Sequence, residues 1–213
     1  MKLRITIGSI LALTAFPVCH AQTINFDRSQ PGSVPDGWTI GMTHAGPAPK
    51  WEVLKDQSAP SPPNVFAQTS TDRTAGRFPL AIWDRASLKD GTLTVKFKAI
   101  SGTVDQGAGL VWRYRDANNY YIVRANALED NVRFYRVVKG QREQLEGANI
   151  KVTANEWHQL GLRAEGERFT ITFDGKQLFT ATDRTFTAAG KVALWTKADS
   201  VTRFDRIEIK TLP

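Results

Sequence analysis

From Leu93 onward the chain alternates apolar and polar residues, and that period of two limits what it can fold into. Thr92-Leu93-Thr94-Val95-Lys96-Phe97-Lys98 puts Leu93, Val95 and Phe97 on one face and the polar residues on the other, because successive strand side chains point to opposite faces. Phe169-Thr170-Ile171-Thr172-Phe173 repeats the pattern and stops at Asp174-Gly175, a two-residue hairpin signal. Lys176 to Ala181 then returns as the partner strand. Glu165-Gly166 marks another turn, and no segment carries a sustained helical stripe. Short strands separated by turns roughly every 8–12 residues predict an all-β, two-sheet antiparallel sandwich.

The part from Gln22 to Phe78 reads differently. Pro31, Pro35, Pro47, Pro49, Pro60, Pro62 and Pro63 crowd into it and clean alternation is scarce. It is expected to be looped structure packed on the sandwich through Trp38 and Trp51, because proline removes a ladder donor. No linker or repeat divides the chain, so residues 22–213 are expected to form one domain.

The N-terminus sets the expected compartment. Lys2 and Arg4 precede an apolar run from Ile5 to Val18, and Cys19-His20-Ala21 gives a small-x-small pattern. This reads as a signal peptide over 1–21, since a membrane span needs about 20 apolar residues. The protein is then exported, periplasmic or secreted, with no membrane span. Cleavage removes the only cysteine, so stability must come from packing without disulfides. Removing Lys2 and Arg4 leaves 26 basic against 21 acidic residues, a net charge of +5. An exported basic protein meets anionic envelope surfaces and acidic polysaccharides before nucleic acid.

Four later segments come in a telling order: Trp157-His158-Gln159-Leu160, the hairpin ending Phe173-Asp174-Gly175-Lys176, Gly190-Lys191-Val192-Ala193-Leu194-Trp195, and Phe204-Asp205-Arg206-Ile207-Glu208-Ile209. That order resembles concanavalin A-like lectin/glucanase domains, which include laminin-G modules and family 16 glycoside hydrolases. It is also similar to bacterial domains described as 3-keto-disaccharide hydrolase (DUF1080). The resemblance implies a jelly roll with ligands held in a concave face or at its rim. It also implies that a structural calcium ion could sit near the paired termini, with Asp27 and Asp205 as the acids.

Enzyme signatures are sparse. Family 16 glucanases carry acid-x-acid-x-acid on one strand, which sets two carboxylates beside one glycosidic bond. Here the only alternating pair, Glu165-x-Glu167, straddles a turn, and Glu129-Asp130 are adjacent. No G-x-S-x-G element occurs, and two histidines after the leader, His44 and His158, do not make a zinc cluster.

The remaining candidate is GLVWRYRDANNYYIVRAN, residues 109–126. Read as two strands joined at Arg115–Asn118, it opposes Trp112 with Tyr121 and Arg113 with Tyr120. Leu110, Trp112, Tyr121 and Val123 then face the core, while Arg113, Tyr120, Arg124 and Asn126 face outward. Arginines on a sheet face either meet acids or line a wet groove. With Glu129, Trp195, Lys197 and Asp199 they are expected to build one polar cleft that binds carbohydrate, including acidic polysaccharide. Trp112 and Tyr121 point inward, which counts against a nucleic-acid platform.

The expected function is therefore glycan recognition by a monomer without glucanase activity. The alternatives are a 3-keto-disaccharide hydrolase-type enzyme with Glu129 or Asp199 as general acid or base, and a structural envelope protein whose groove its own loop fills.

Overall fold

The computed structural model describes residues 21–212, which form fifteen strands and no helix. The leader expected over 1–21 lies outside the described residues except for Ala21. One antiparallel sheet runs in the order β13 (Lys176–Thr182), β12 (Arg168–Phe173), β11 (His158–Glu165), β6 (Gly91–Ser101), β15 (Val201–Thr211), β4 (Asn64–Gln68) and β3 (Trp51–Lys55). A further strand, β1 (Ala21–Ile24), also pairs with β15. The opposing sheet runs β10 (Gln141–Asn149), β9 (Asn131–Val138), β8 (Asn119–Asn126), β7 (Gly107–Asp116), β14 (Gly190–Trp195), β5 (Phe78–Leu88) and β2 (Trp38–Thr43). This is the two-sheet antiparallel sandwich expected from the alternation, with the jelly-roll form that the resemblance implied.

The alternating segments pair as their pattern demands. Leu93 and Val95 sit opposite Leu162 and Leu160. The β12–β13 hairpin turns on Asp174 and Gly175, with φ of 47° and 78°. Both residues take the left-handed conformation that matches strand twist in such a turn, and glycine adopts it without Cβ strain.

Between the sheets lies one core in which Trp112, Tyr121, Val123 and Phe134 meet Phe97, Leu160, Phe169 and Phe204. Tyr121 packs 4.7 Å from Phe169 across the sandwich.

The proline-rich part is not simply looped. It supplies β2, β3 and β4, and β2 and β3 are the outer strands of the two sheets. Its prolines fall before and between these strands, where no ladder donor is lost. Trp38 and Trp51 do pack into the core, as expected.

The opposing sheet is strongly curled. β10 and β5 lie five strand spacings apart, about 24 Å along a flat sheet at the usual interstrand distance. Yet the guanidinium carbon of Arg142 on β10 lies 5.2 Å from the ring of Phe78 on β5. His44, just after β2, reaches Gly140 O in the β9–β10 turn at 2.9 Å. The outward face of this sheet is therefore concave, and two of its corners close over it.

Candidate functional site

Cross-strand register arranges the concave face in rows. One row reads Gly147, Arg133, Arg124, Gly109, Trp195, Leu80 and Gly41. The next reads Asn149, Asn131, Asn126 and Gly107. Residues directly opposite one another in a sheet share a face. The β8–β10 half of the surface is thus written in arginine and asparagine, and the remainder in apolar residues.

The apolar part is a second cluster containing Phe78, Leu80, Val111, Tyr120, Ile122, Tyr135, Val137 and Trp195. The corner closure buries it. The Thr43 hydroxyl donates to Ala117 O at 2.5 Å and lies 2.7 Å from the Tyr120 hydroxyl. Burial pushes the Tyr120 phenol up to about 12. Tyr120 and Trp195 are fully buried, so neither offers the open stacking platform expected of it. The Trp195 indole nitrogen sits near the Tyr120 hydroxyl without forming a proper hydrogen bond.

The polar part is a connected network around Asp105, a loop residue that alternation does not flag. Asp105 Oδ2 accepts from Lys197 Nζ at 2.9 Å and Arg124 Nη1 at 3.4 Å, and its Oδ1 accepts from Asn126 Nδ2 at 3.3 Å. Arg124 Nη2 donates to Glu129 Oε2 at 2.8 Å and Asn131 Oδ1 at 3.1 Å. Asn126 Oδ1 accepts the backbone N–H groups of Leu128 and Glu129, so it shapes the turn that presents Glu129. Asn131 Nδ2 donates to Glu129 Oε2 at 3.0 Å.

Burial raises the Glu129 carboxyl, but the Arg124 and Asn131 hydrogen bonds outweigh it and hold the group below its usual range. Its side chain remains 49% exposed, and none of these bonds falls on Oε1. Arg124 is buried and its Nε has no partner. The network presents a half-exposed ionised carboxylate at Glu129 and a partly exposed ammonium at Lys197, two charged groups suited to sugar hydroxyls.

Two expected members are elsewhere. Arg113 has φ of 50° within an irregularity between Trp112 and Asp116, so it does not pair with Tyr120. The bulge reverses its direction, because one residue of slip moves a side chain to the other face. Its guanidinium closes the end of the sandwich, donating to Lys89 O, Phe186 O and Gly166 O and lying 5.3 Å from the Phe169 ring.

Asp199 caps a loop. It accepts the N–H groups of Thr103, Val104 and Asp105 and the Thr103 hydroxyl at 2.8–3.2 Å. Burial raises its carboxyl, but these donors pull it below its usual value. Both oxygens are committed to holding Asp105 in place, which leaves Asp199 unsuited to proton transfer.

Asp27 and Asp205 do approach one another, with Ser61 between them. Asp205 Oδ2 accepts from Ser61 N at 2.6 Å, and Asp27 accepts from Ser61 Oγ at 3.0 Å. Burial first, and Asp27 among the other causes, raise the Asp205 carboxyl. The carbonyls of Phe26, Asp27 and Ser29 converge on Asn64 Nδ2. The donors are oxygen, as calcium prefers, but protein hydrogens already take them, so the fit is partial. Among the described residues no group of three or more His, Cys, Asp and Glu could hold a metal ion.

A recess of about 530 Å³ lies apart from this network, against β1 and β2, and includes Arg28, Asp36, Trp38 and Trp83. Neither charged residue there bonds to another charged group among the described residues, so the chemistry concentrates on the concave face.

Two antiparallel sheets, one of them curled with a polar network on its concave face, make a jelly-roll sandwich. The chain belongs to the 3-keto-alpha-glucoside-1,2-lyase-like domain family, whose model matches residues 25–210. No curated protein matches it. Among solved structures it is similar to the carbohydrate binding module CBM66 from Bacillus subtilis, with a TM-score of 0.64 and 21% identity over 81% of this chain and 94% of that one. A glycoside hydrolase family 16 protein of the Bacteroides ovatus mixed linkage glucan locus, in complex with a product, gives a TM-score of 0.61 and 12% identity, covering 88% and 98%. The Bacillus licheniformis beta-glucanase gives 0.54 and 12%, covering 91% and 98%.

Proposed function

We propose that the chain is an exported carbohydrate-binding domain whose site is the polar half of the concave face. The observation that carries this reading is the network of Arg124, Glu129, Asn131 and Lys197 around buried Asp105. Paired hydrogen-bond donors and an ionised carboxylate on a rigid sheet suit sugar hydroxyls. The likeness to a carbohydrate binding module supports the reading at the level of fold. Screening against a glycan array tests it, followed by calorimetry with Glu129→Gln. The variant should lose about tenfold in affinity, the weight of one charge-assisted hydrogen bond. Absence of binding to every glycan would remove the reading.

Family membership favours a second reading at the same place, cleavage of a 3-keto glucoside by elimination. In it Glu129 takes the C2 proton made acidic by the C3 carbonyl. The C1–O bond then breaks as the C1–C2 double bond forms, and the departing oxygen takes a proton from Lys197. A general base works best with a pKa near the working pH. Glu129 is shifted the opposite way, which is why binding is preferred. Release of an unsaturated keto sugar from a 3-keto disaccharide by wild type but not Glu129→Gln would reverse that preference.

Export and calcium binding are carried as proposals. Export rests on the basic and apolar N-terminal run, and recovery of protein beginning near Gln22 from periplasm or medium tests it. Calcium rests on the oxygen donors at Asp27 and Asp205, and the idea falls if chelated protein gains no heat stability on calcium addition.

A further inference from the structure

The concave face holds two arginines with no acid partner: Arg133, which donates to Asn149 Oδ1, and Arg142, whose side chain has no polar partner. The Arg142 side chain forms no hydrogen bond and no ion pair among the described residues, and its Nη1 is enclosed without an acceptor. Its guanidinium carbon instead lies 4.5 Å from the Tyr135 ring, 5.2 Å from Phe78 and 5.8 Å from Trp195.

The acids on its own strand are engaged elsewhere. Glu143 binds Arg136 with both oxygens, and Glu146 accepts from the Gly147 N–H. Arg124 approaches the same Tyr135 ring, at 5.9 Å, and its buried Nε is also unpartnered. Four cations, Arg124, Arg133, Arg142 and Lys197, occupy this half of the sheet, against Asp105 and Glu129. Ring contacts of this kind return less than burying an unpaired guanidinium costs. Cations outnumber carboxylates here, and Arg142 is partly exposed, so the oxyanion of a ligand can reach it.

We propose that Arg142, with Arg124 beside the shared Tyr135 ring, forms an anion subsite that takes the carboxylate or sulfate group of an acidic sugar. This rests on the carbohydrate-binding reading and narrows it to charged glycans.

Calorimetry with the full chain tests it, using oligogalacturonate, its methyl ester, a sulfated neutral oligosaccharide and the unsulfated parent. Wild type should bind at least one anionic probe about tenfold more tightly than its neutral counterpart. Whichever anion is preferred names the group. In Arg142→Gln that preference should fall to within about twofold. Equal binding of charged and neutral forms, or a preference that survives in Arg142→Gln, overturns the anion subsite while leaving sugar binding intact. Binding of none of the four overturns the anion subsite, while the glycan array decides the carbohydrate-binding reading separately. Should Arg142→Gln fail to fold, the ester comparison on wild type decides alone.

Discussion

Arg124 on β8 and Arg133 on β9 stand directly opposite one another on the concave face, two like charges at one cross-strand position. Such a pair is destabilising unless each charge finds other company. Arg124 turns to Asp105 and Glu129, and Arg133 Nη2 donates to Asn149 Oδ1 at 2.6 Å. A sheet selected for stability alone would carry threonine or valine at one of these places. Arg133→Thr should therefore raise unfolding free energy by about 0.5 kcal/mol, measured in urea, while weakening binding of any anionic glycan.

Asp105 is the hub on which this face depends. With Asp105→Asn, buried Arg124 and half-buried Lys197 lose their shared countercharge. Breaking a buried ion pair from one side costs about 3–5 kcal/mol. A comparable fall in urea stability is the expected result, and an unchanged midpoint would contradict the network.

Asp199 is expected to matter for stability and its pH dependence, not for chemistry. Its folded pKa is depressed, so its contribution is present above the unfolded value and is lost as pH falls through the folded one. Asp199→Asn should cost about 2 kcal/mol at pH 7 and flatten the acid limb of the stability curve. Chemical denaturation from pH 7 to pH 2 reads both.

Arg113 should behave as a structural residue. Arg113→Ala removes the donors to Lys89 O, Phe186 O and Gly166 O at the end of the sandwich. It should lower stability by about 3 kcal/mol, with ligand affinity within about twofold of wild type at a temperature where the variant is folded.

The tyrosines give a check on burial that needs no ligand. Burial raises Tyr120 to about 12, and burial together with Asp183 raises Tyr121 to about 12. Ultraviolet titration should show Tyr120 and Tyr121 ionising well above pH 10, with Tyr114 also shifted upward by burial. Both pKa values lie above those of the unfolded chain. Their stabilising contribution is therefore full below about pH 10 and is lost as pH rises toward 12.

Much of this protein could be read along the chain. Alternation at 92–100 and 169–173, the Asp174-Gly175 turn and the inward Trp112 and Tyr121 are local properties, because strand side chains alternate whatever lies around them. The face of Arg124 followed from the same rule. Arg113 did not, since a positive φ inside a bulge cancels alternation and nothing in Trp-Arg-Tyr announces it. The strands β2, β3 and β4 were hidden by the prolines between them.

What only the tertiary structure decided is which distant residues meet. Asp105 sits in a loop without pattern, and Arg142 lies on a polar strand far in sequence from Phe78 and Trp195. Curling the sheet through five strand spacings brings them onto one concave face. Periodicity sets the side of a strand on which a residue stands, while curvature, summed over many strands, sets what it faces.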